Sequence, residues 1–282
     1  MAGIYIHIPF CKTKCHYCDF YKTTGLGART DFLSAMKKEI IQRKCEVKDE
    51  IIESIYFGGG TPSVLKTGEI NAVLELIRSA YHLHEDTEVT LEANPDDLTV
   101  SSLQSLVHTG ITRLSIGIQS FNNRDLKAMN RRHNAEQAFN CVKNALEAGF
   151  RNMSIDLIYG LPNQSLKDWE MDINAAVHLQ VSHISAYHLT YHEGTVFFDY
   201  LKAGKIREIP DELSLAQFKL LRQLLKEAGY EHYEISNFAR DGFYSRHNRS
   251  YWERKNYLGF GPSAHSFDQY TRRWNVSNLK KY

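Results

Sequence analysis

Runs rich in β-branched and aromatic residues recur at 4–8, 54–57, 88–92, 113–117, 152–158, 183–188 and 230–235. Between them, apolar residues repeat at the spacing of one helix face. Phe32, Leu33, Met36, Ile40 and Ile41 mark one face, and Ile70, Val73, Leu74 and Ile77 a second. Leu103, Leu106 and Val107 mark a third, Ala138, Cys141, Val142, Ala145 and Leu146 a fourth, and Leu215, Phe218, Leu221, Leu224 and Leu225 a later one. Strand alternating with helix at this spacing predicts βα units around a parallel sheet. A barrel and an open doubly wound sheet both satisfy that pattern. No G-x-G-x-x-G follows the first strand, which weakens the doubly wound reading.

Distinctive residues gather where strands end: Gly58, Gly59 and Gly60 after the second, Glu92 closing the third, Gln119 past the fourth, Asp156 in the fifth and His188 closing the sixth. A βα barrel brings those positions to one rim, the face that carries active sites. From about Phe238 the helical period is lost, which divides the chain into 1–237 and a segment 238–282 expected to close the barrel. Residues 277–282 read as the opening of a helix, so a C-terminal extension cut short is expected.

Composition narrows the class. The 282 residues are 43% hydrophobic and 24% charged, ordinary for a globular chain that needs no disulfide staples. Lys plus Arg (34) nearly cancels Asp plus Glu (33), leaving +1, without the basic excess of a nucleic-acid-binding protein. No apolar run approaches the ~20 residues of a membrane span and no secretory leader is legible. A cytoplasmic protein, at most peripheral to a membrane, is expected.

Three of the five cysteines sit within eight residues, as Cys11-Lys-Thr-Lys-Cys15-His-Tyr-Cys18. In a non-secreted chain such crowding points to metal rather than disulfides. Three thiolates leave one coordination position open, as reactive centres do, and the spacing suits an iron–sulfur cluster with one uncapped iron. The alternative is a zinc-stabilised binding module, its metal completed by His7 or His16; structural zinc favours paired C-x2-C elements, and the second pair is missing. Gly58-Gly-Gly-Thr-Pro62 lets backbone approach a ligand closely. Glu92 and Asp156 at strand ends can accept from ribose hydroxyls or serve as helix caps or salt-bridge partners, and Arg131 in Asn130-Arg-Arg-His133 reads equally as a solvated charge or as a partner for a carboxylate. Cys45 and Cys141 read as small buried helix residues.

The segment Tyr5-Ile-His-Ile-Pro-Phe-Cys11 through Cys18 resembles the signature of the radical S-adenosylmethionine superfamily. The resemblance implies an α/β fold with a partial TIM-like (β/α)6 barrel. It implies that Cys11, Cys15 and Cys18 hold a 4Fe-4S cluster, whose fourth iron is chelated by S-adenosylmethionine. Electron transfer would then cleave the sulfonium to a 5'-deoxyadenosyl radical. Arg113-Leu-Ser-Ile-Gly-Ile-Gln-Ser-Phe121 and Asp156-Leu-Ile-Tyr-Gly-Leu-Pro162 extend the likeness to the coproporphyrinogen III oxidase-like family over nearly the whole chain. By that likeness the S-adenosylmethionine contacts are Tyr5, Tyr17, Gly60, Thr61, Glu92, Gln119, Arg131 and Asp156.

Two departures separate the chain from the coproporphyrinogen dehydrogenases of that family. Cys18 is followed by Asp19 and Phe20 rather than by a further cysteine two residues on, and only ten residues precede Cys11. Both features are similar to the haem chaperone branch. His247-Asn-Arg-Ser-Tyr-Trp252 matches the H-N-x-x-Y-W motif of that branch, which implies haem against His247, Tyr251 and Trp252, with Arg246 and Arg249 at its propionates. Expected partners are S-adenosylmethionine, haem and haem-receiving proteins, respiratory enzymes at the membrane among them, with a homodimer admitted. Oxygen-independent coproporphyrinogen III dehydrogenation stands as the alternative activity.

Overall fold

The structure is a computed structural model describing residues 1–282. In chain order its elements are β1 (Ala2–Ile8), α1 (Arg29–Gln42), β2 (Ile52–Gly59), α2 (Thr67–Ala80), β3 (Leu83–Ala93), α3 (Val100–Leu106), β4 (Arg113–Gln119), α4 (Asn123–Ala128), α5 (Ala135–Ala148) and β5 (Asn152–Tyr159). There follow α6 (Leu166–His178), β6 (His183–His188), α7 (Val196–Lys202), α8 (Asp211–Glu227), β7 (Glu231–His232), β8 (Asn237–Ala239), α9 (Arg246–Trp252), β9 (Asn256–Phe260), β10 (His265–Phe267) and β11 (Arg272–Trp274).

Strands β1 to β6 lie side by side in sequence order and all parallel. Unreversed order with right-handed crossovers puts every connecting helix on the same face, so the sheet curls into an open, partial barrel rather than a doubly wound sheet. The outward residues are apolar and fully buried: Ile4, Ile6 and Ile8 on β1, Ile55 and Phe57 on β2, Leu114, Ile116 and Ile118 on β4, Ile155 and Leu157 on β5. Each such side chain contributes roughly 1.5–3 kcal/mol on burial against helix faces such as Ile70, Val73, Leu74 and Ile77 of α2. Local signals agree with the packing. On α5, Asn134 Oδ1 accepts from Gln137 N–H while Gln137 Oε1 accepts from Asn134 N–H, each at 2.9 Å, and the helix stops at Gly149 with φ +110°.

Several expectations are corrected. The seventh run, 230–235, keeps only the two-residue strand β7 at the sheet's edge; the strand that pairs β6 is β8, and it is antiparallel. Ile41, Val107 and Leu215 are exposed, because each lies at the margin of its helix's apolar stripe. Cys45 is exposed beyond α1, whereas Cys141 is buried on α5. Residues 277–282, expected to open a helix, make one turn: Tyr282 N–H donates to Asn278 O (3.0 Å) and its phenol donates to Glu39 on α1 (2.5 Å). Residues 238–282 build onto both ends of one sheet, β8 beside β6 and β9 parallel to β1. No helix is long and apolar enough to cross a membrane.

Candidate functional site

The loop after β1 is fixed by its own backbone. Cys11 N–H donates to Thr23 O (2.9 Å), Thr23 N–H to Pro9 O (2.7 Å), His16 N–H to Met129 O (3.1 Å) and Phe197 N–H to His16 O (2.9 Å). Cys11, Cys15 and Cys18, all free thiols, open onto one cavity of about 410 Å³ at the carboxyl ends of the strands. Thr61 Oγ1 donates to Cys11 Sγ (3.3 Å) and Arg131 Nη1 to Cys15 Sγ (3.4 Å), while Lys22 Nζ donates to Cys18 O (2.5 Å). Burial pushes the Cys11 and Cys18 thiols up, and metal binding would displace their protons.

This donor set fits an iron–sulfur cluster: soft sulfur ligands on a short loop, two cations beside them, and an adjoining cavity of ligand size. Each thiolate of such a cluster binds a separate iron, so the three need not meet at a point. A single zinc ion does need that, and no three His, Cys, Asp or Glu side chains converge to hold one. His7 Nε2 is bonded to Tyr21 O (2.9 Å) and His16 Nδ1 to Ala128 O (2.8 Å), and no convergent ligand set favours the zinc alternative.

A bulge at the end of β4 shapes the wall opposite the cysteines. The register with β5 shifts between Gly117 and Gln119, and Gln119 takes φ +72°, a left-handed backbone uncommon outside glycine. Three side chains hold it there. Arg131 Nη2 donates to Gly117 O (2.5 Å) and Asn94 Oδ1 (2.6 Å), and His133 Nε2 to Ile118 O (3.0 Å). Asp172 on α6 accepts from Phe121 N–H (2.7 Å) and Ser120 Oγ (2.8 Å). The guanidinium of Arg131 is thereby oriented, with Nε alone lacking a partner.

Two carboxyls complete the wall. Glu92 Oε1 accepts from Tyr56 Oη (2.8 Å), and Ser115 Oγ lies 3.3 Å from both oxygens of Asp156. Gly58 leaves room for Glu92, since a Cβ there would stand 3.0 Å from its Oε1. Burial first, and Asp156 after it, pushes Glu92 up to about 7; burial also raises Asp156. The unfolded chain releases the Glu92 proton near 4.3, whereas the folded chain keeps it to about 7. Glu92 therefore favours folding below about 4 and lowers stability as pH rises to about 7, with no further change above. Thermal unfolding of Glu92→Gln across pH 5–8 should show a flatter profile, by on the order of 2 kcal/mol over the window; an unaltered profile would remove Glu92 from this role.

Cys11, Cys15, Cys18, Tyr17, Gly60, Thr61, Glu92, Gln119, Arg131 and Asp156 all line this cavity. Tyr5 lies one layer deeper, stacked 6.2 Å from Tyr56. Helix α9 crosses beneath them at the amino ends of β1–β3, and its Asn248 lines the cavity from below. His247 is 1% exposed, shares hydrogen bonds with Ser54 Oγ through Nδ1 (2.8 Å) and Tyr251 Oη through Nε2 (2.9 Å), and stacks on Tyr56 at 5.0 Å. Burial, with Arg113 nearby, holds its ring neutral to about 3. Tyr251 is on the same helix face as His247, its phenol turned back to that ring and one side of it exposed, and Trp252 is exposed. The cavity thus does not gather His247, Tyr251 and Trp252 with the cysteines.

Sequence reasoning attended to strand ends and missed the strand interiors. Arg113-Leu-Ser115-Ile-Gly117-Ile-Gln119 alternates polar with apolar, and the polar set faces inward, as do Glu88, Thr90 and Glu92 on β3 and His183 and Ser185 on β6. Arg113 is 1% exposed, and its Nε and Nη1 have no partner. Period-two alternation within each run was the available signal: an inner face this polar is a lined chamber, not a packed barrel core.

Residues 5–176 match the radical SAM superfamily model. The chain is 37% identical to the HemW haem chaperone of Bacillus subtilis over 284 residues, covering 100% of this chain and 75% of that protein. It is 37% identical to the mitochondrial radical S-adenosyl methionine domain-containing protein 1 of Bos taurus, covering 94% of this chain and 60% of that one. The solved structure of Escherichia coli coproporphyrinogen III oxidase, HemN, a radical SAM enzyme, superposes with TM-score 0.86 at 27% identity, over 100% of this chain and 68% of that one. Membership implies a 4Fe-4S cluster and S-adenosylmethionine. The chain belongs to the radical S-adenosylmethionine superfamily and, within it, to the HemW family of coproporphyrinogen III oxidase-like proteins.

Proposed function

We propose that Cys11, Cys15 and Cys18 hold the 4Fe-4S cluster and that S-adenosylmethionine occupies the cavity beside it. The bound cluster supplies one-electron reduction of a sulfonium. Around it, Gly60 and Thr61 bound the methionine part, and Glu92 and Asp156 accept from ribose hydroxyls. Arg131, fixed by Asn94 and Gly117, directs positive charge toward the ligand carboxylate. Gln119 and Tyr17 close the sides, with Tyr5 supporting from below.

The role we assign is binding haem and delivering it to haem-requiring proteins in the cytoplasm or at the membrane, respiratory enzymes among them, by a chain that pairs with a second copy. Likeness to the Bacillus subtilis haem chaperone over the full chain carries this reading. The fold likeness to HemN favours coproporphyrinogen III dehydrogenation as the second reading. Anaerobically reconstituted protein titrated with haem should saturate at about one haem per chain. It should release neither CO2 nor 5'-deoxyadenosine when given coproporphyrinogen. Release of both, without saturable haem binding, would make the chain the dehydrogenase.

A further inference from the structure

The inner face of the sheet continues past β1. Directly paired residues share a face, and the register pairs Gly3 with Tyr257 and Tyr5 with Gly259, Tyr257 with Phe267, Phe267 with Arg272 and His265 with Trp274. Tyr257, Phe267, His265, Trp274 and Arg272 therefore extend the face that holds Tyr5. Their rings run on from α9: Tyr251 lies 4.8 Å from Tyr257, Tyr257 6.2 Å from Phe267, and His265 5.9 Å from Trp274 at 35°. Trp274 is 67% exposed and Tyr251 40%. Such an aromatic face suits a flat apolar ligand.

The two imidazoles near this face differ in what they can offer. His247 spends both nitrogens on Ser54 and Tyr251. His265 is partly exposed with no hydrogen bond at either nitrogen, and its Nδ1 is buried without a partner. Burial, with Arg272 beside it, lowers the pKa of the ring, which favours the neutral form that ligates metals. Arg273 is paired with Glu46, whereas Arg272 is exposed on the ligand side of β11, placed to meet a carboxylate.

Resting on the haem-chaperone reading, we propose that haem lies on the β9–β11 face, with His265 rather than His247 as its iron ligand. The macrocycle covers Trp274 and Tyr251, and a propionate reaches Arg272. The imidazole lone pair takes an axial position of ferric iron, displacing bound water, with no change of oxidation state.

The test titrates full-length anaerobic protein with ferric haem, following the Soret band, for the parent, His265→Ala and Trp274→Ala. His265→Ala should shift the band and raise Kd about tenfold or more, and free imidazole added to that variant should restore the parent spectrum. Trp274→Ala should weaken binding while keeping the band position. Unchanged cluster iron and near-ultraviolet circular dichroism would show that the variants fold. A parent band and Kd retained in His265→Ala would overturn this placement while the chaperone reading stands. A parent protein that never saturates with haem would overturn both.

Discussion

Replacing Cys15 with alanine is expected to leave a folded protein that holds no stable cluster. Two remaining thiolates rarely retain a cubane. The loop has supports besides its thiols: main-chain hydrogen bonds join Cys11 to Thr23, and His16 to Met129 and Phe197. Anaerobic reconstitution followed by iron and sulfide analysis should give near-zero content for Cys15→Ala. Cys45→Ala, at an exposed position outside the cavity, should match the parent. Full iron content in Cys15→Ala would sink the cluster assignment, while a variant that unfolds would show that the loop needs its metal after all.

The largest effect on stability should come from Trp169→Ala. Trp169 on α6 is fully buried, stacks 5.3 Å from Tyr159 and donates from Nε1 to Gln217 O (3.1 Å). Truncation leaves a cavity worth about 3–5 kcal/mol and removes a buried hydrogen bond worth about 0.5–1.5 kcal/mol, against a whole-protein stability on the order of 5–15 kcal/mol. The damage reaches the site. Gln217 Oε1 accepts from Gly160 N–H (3.1 Å), at the end of the strand that carries Asp156. The urea midpoint of Trp169→Ala should fall steeply at constant slope, and Trp169→Phe, which keeps the stack and loses the hydrogen bond, should lose only about 1–2 kcal/mol. Equal losses in the two variants would put the energy in the hydrogen bond instead of the packing.

The six parallel strands were legible because each couples a short apolar run to a chemistry-bearing end, and the cysteine spacing named its own chemistry. Helix α6 was not, although it carries Trp169. Its buried positions Trp169, Asp172, Ile173 and Ala176 include a carboxylate, and Met171 points outward at 63% exposure, so the apolar stripe is broken from both sides. The displacement of the seventh strand from 230–235 to β8 has a different cause. A strand of three residues is chosen by its partner β6, and periodicity within so short a run cannot name a partner. The motif at His247 showed aromatic and imidazole groups at helical spacing, but its burial beneath Tyr56 depends on α9 crossing three strands remote in sequence.

Strand β1 is made long before β9 yet lies inside the sheet, hydrogen-bonded to β2 on one side and to β9 on the other. During synthesis its second edge waits for residues 256–260, roughly 250 residues later, or about 12–50 s at typical elongation rates. Through that interval Ala-Gly-Ile-Tyr-Ile-His-Ile presents an uncharged, β-prone edge able to pair with another nascent chain. The yield of folded chain should therefore depend on how well that edge is shielded during synthesis, more than the finished fold's stability would suggest.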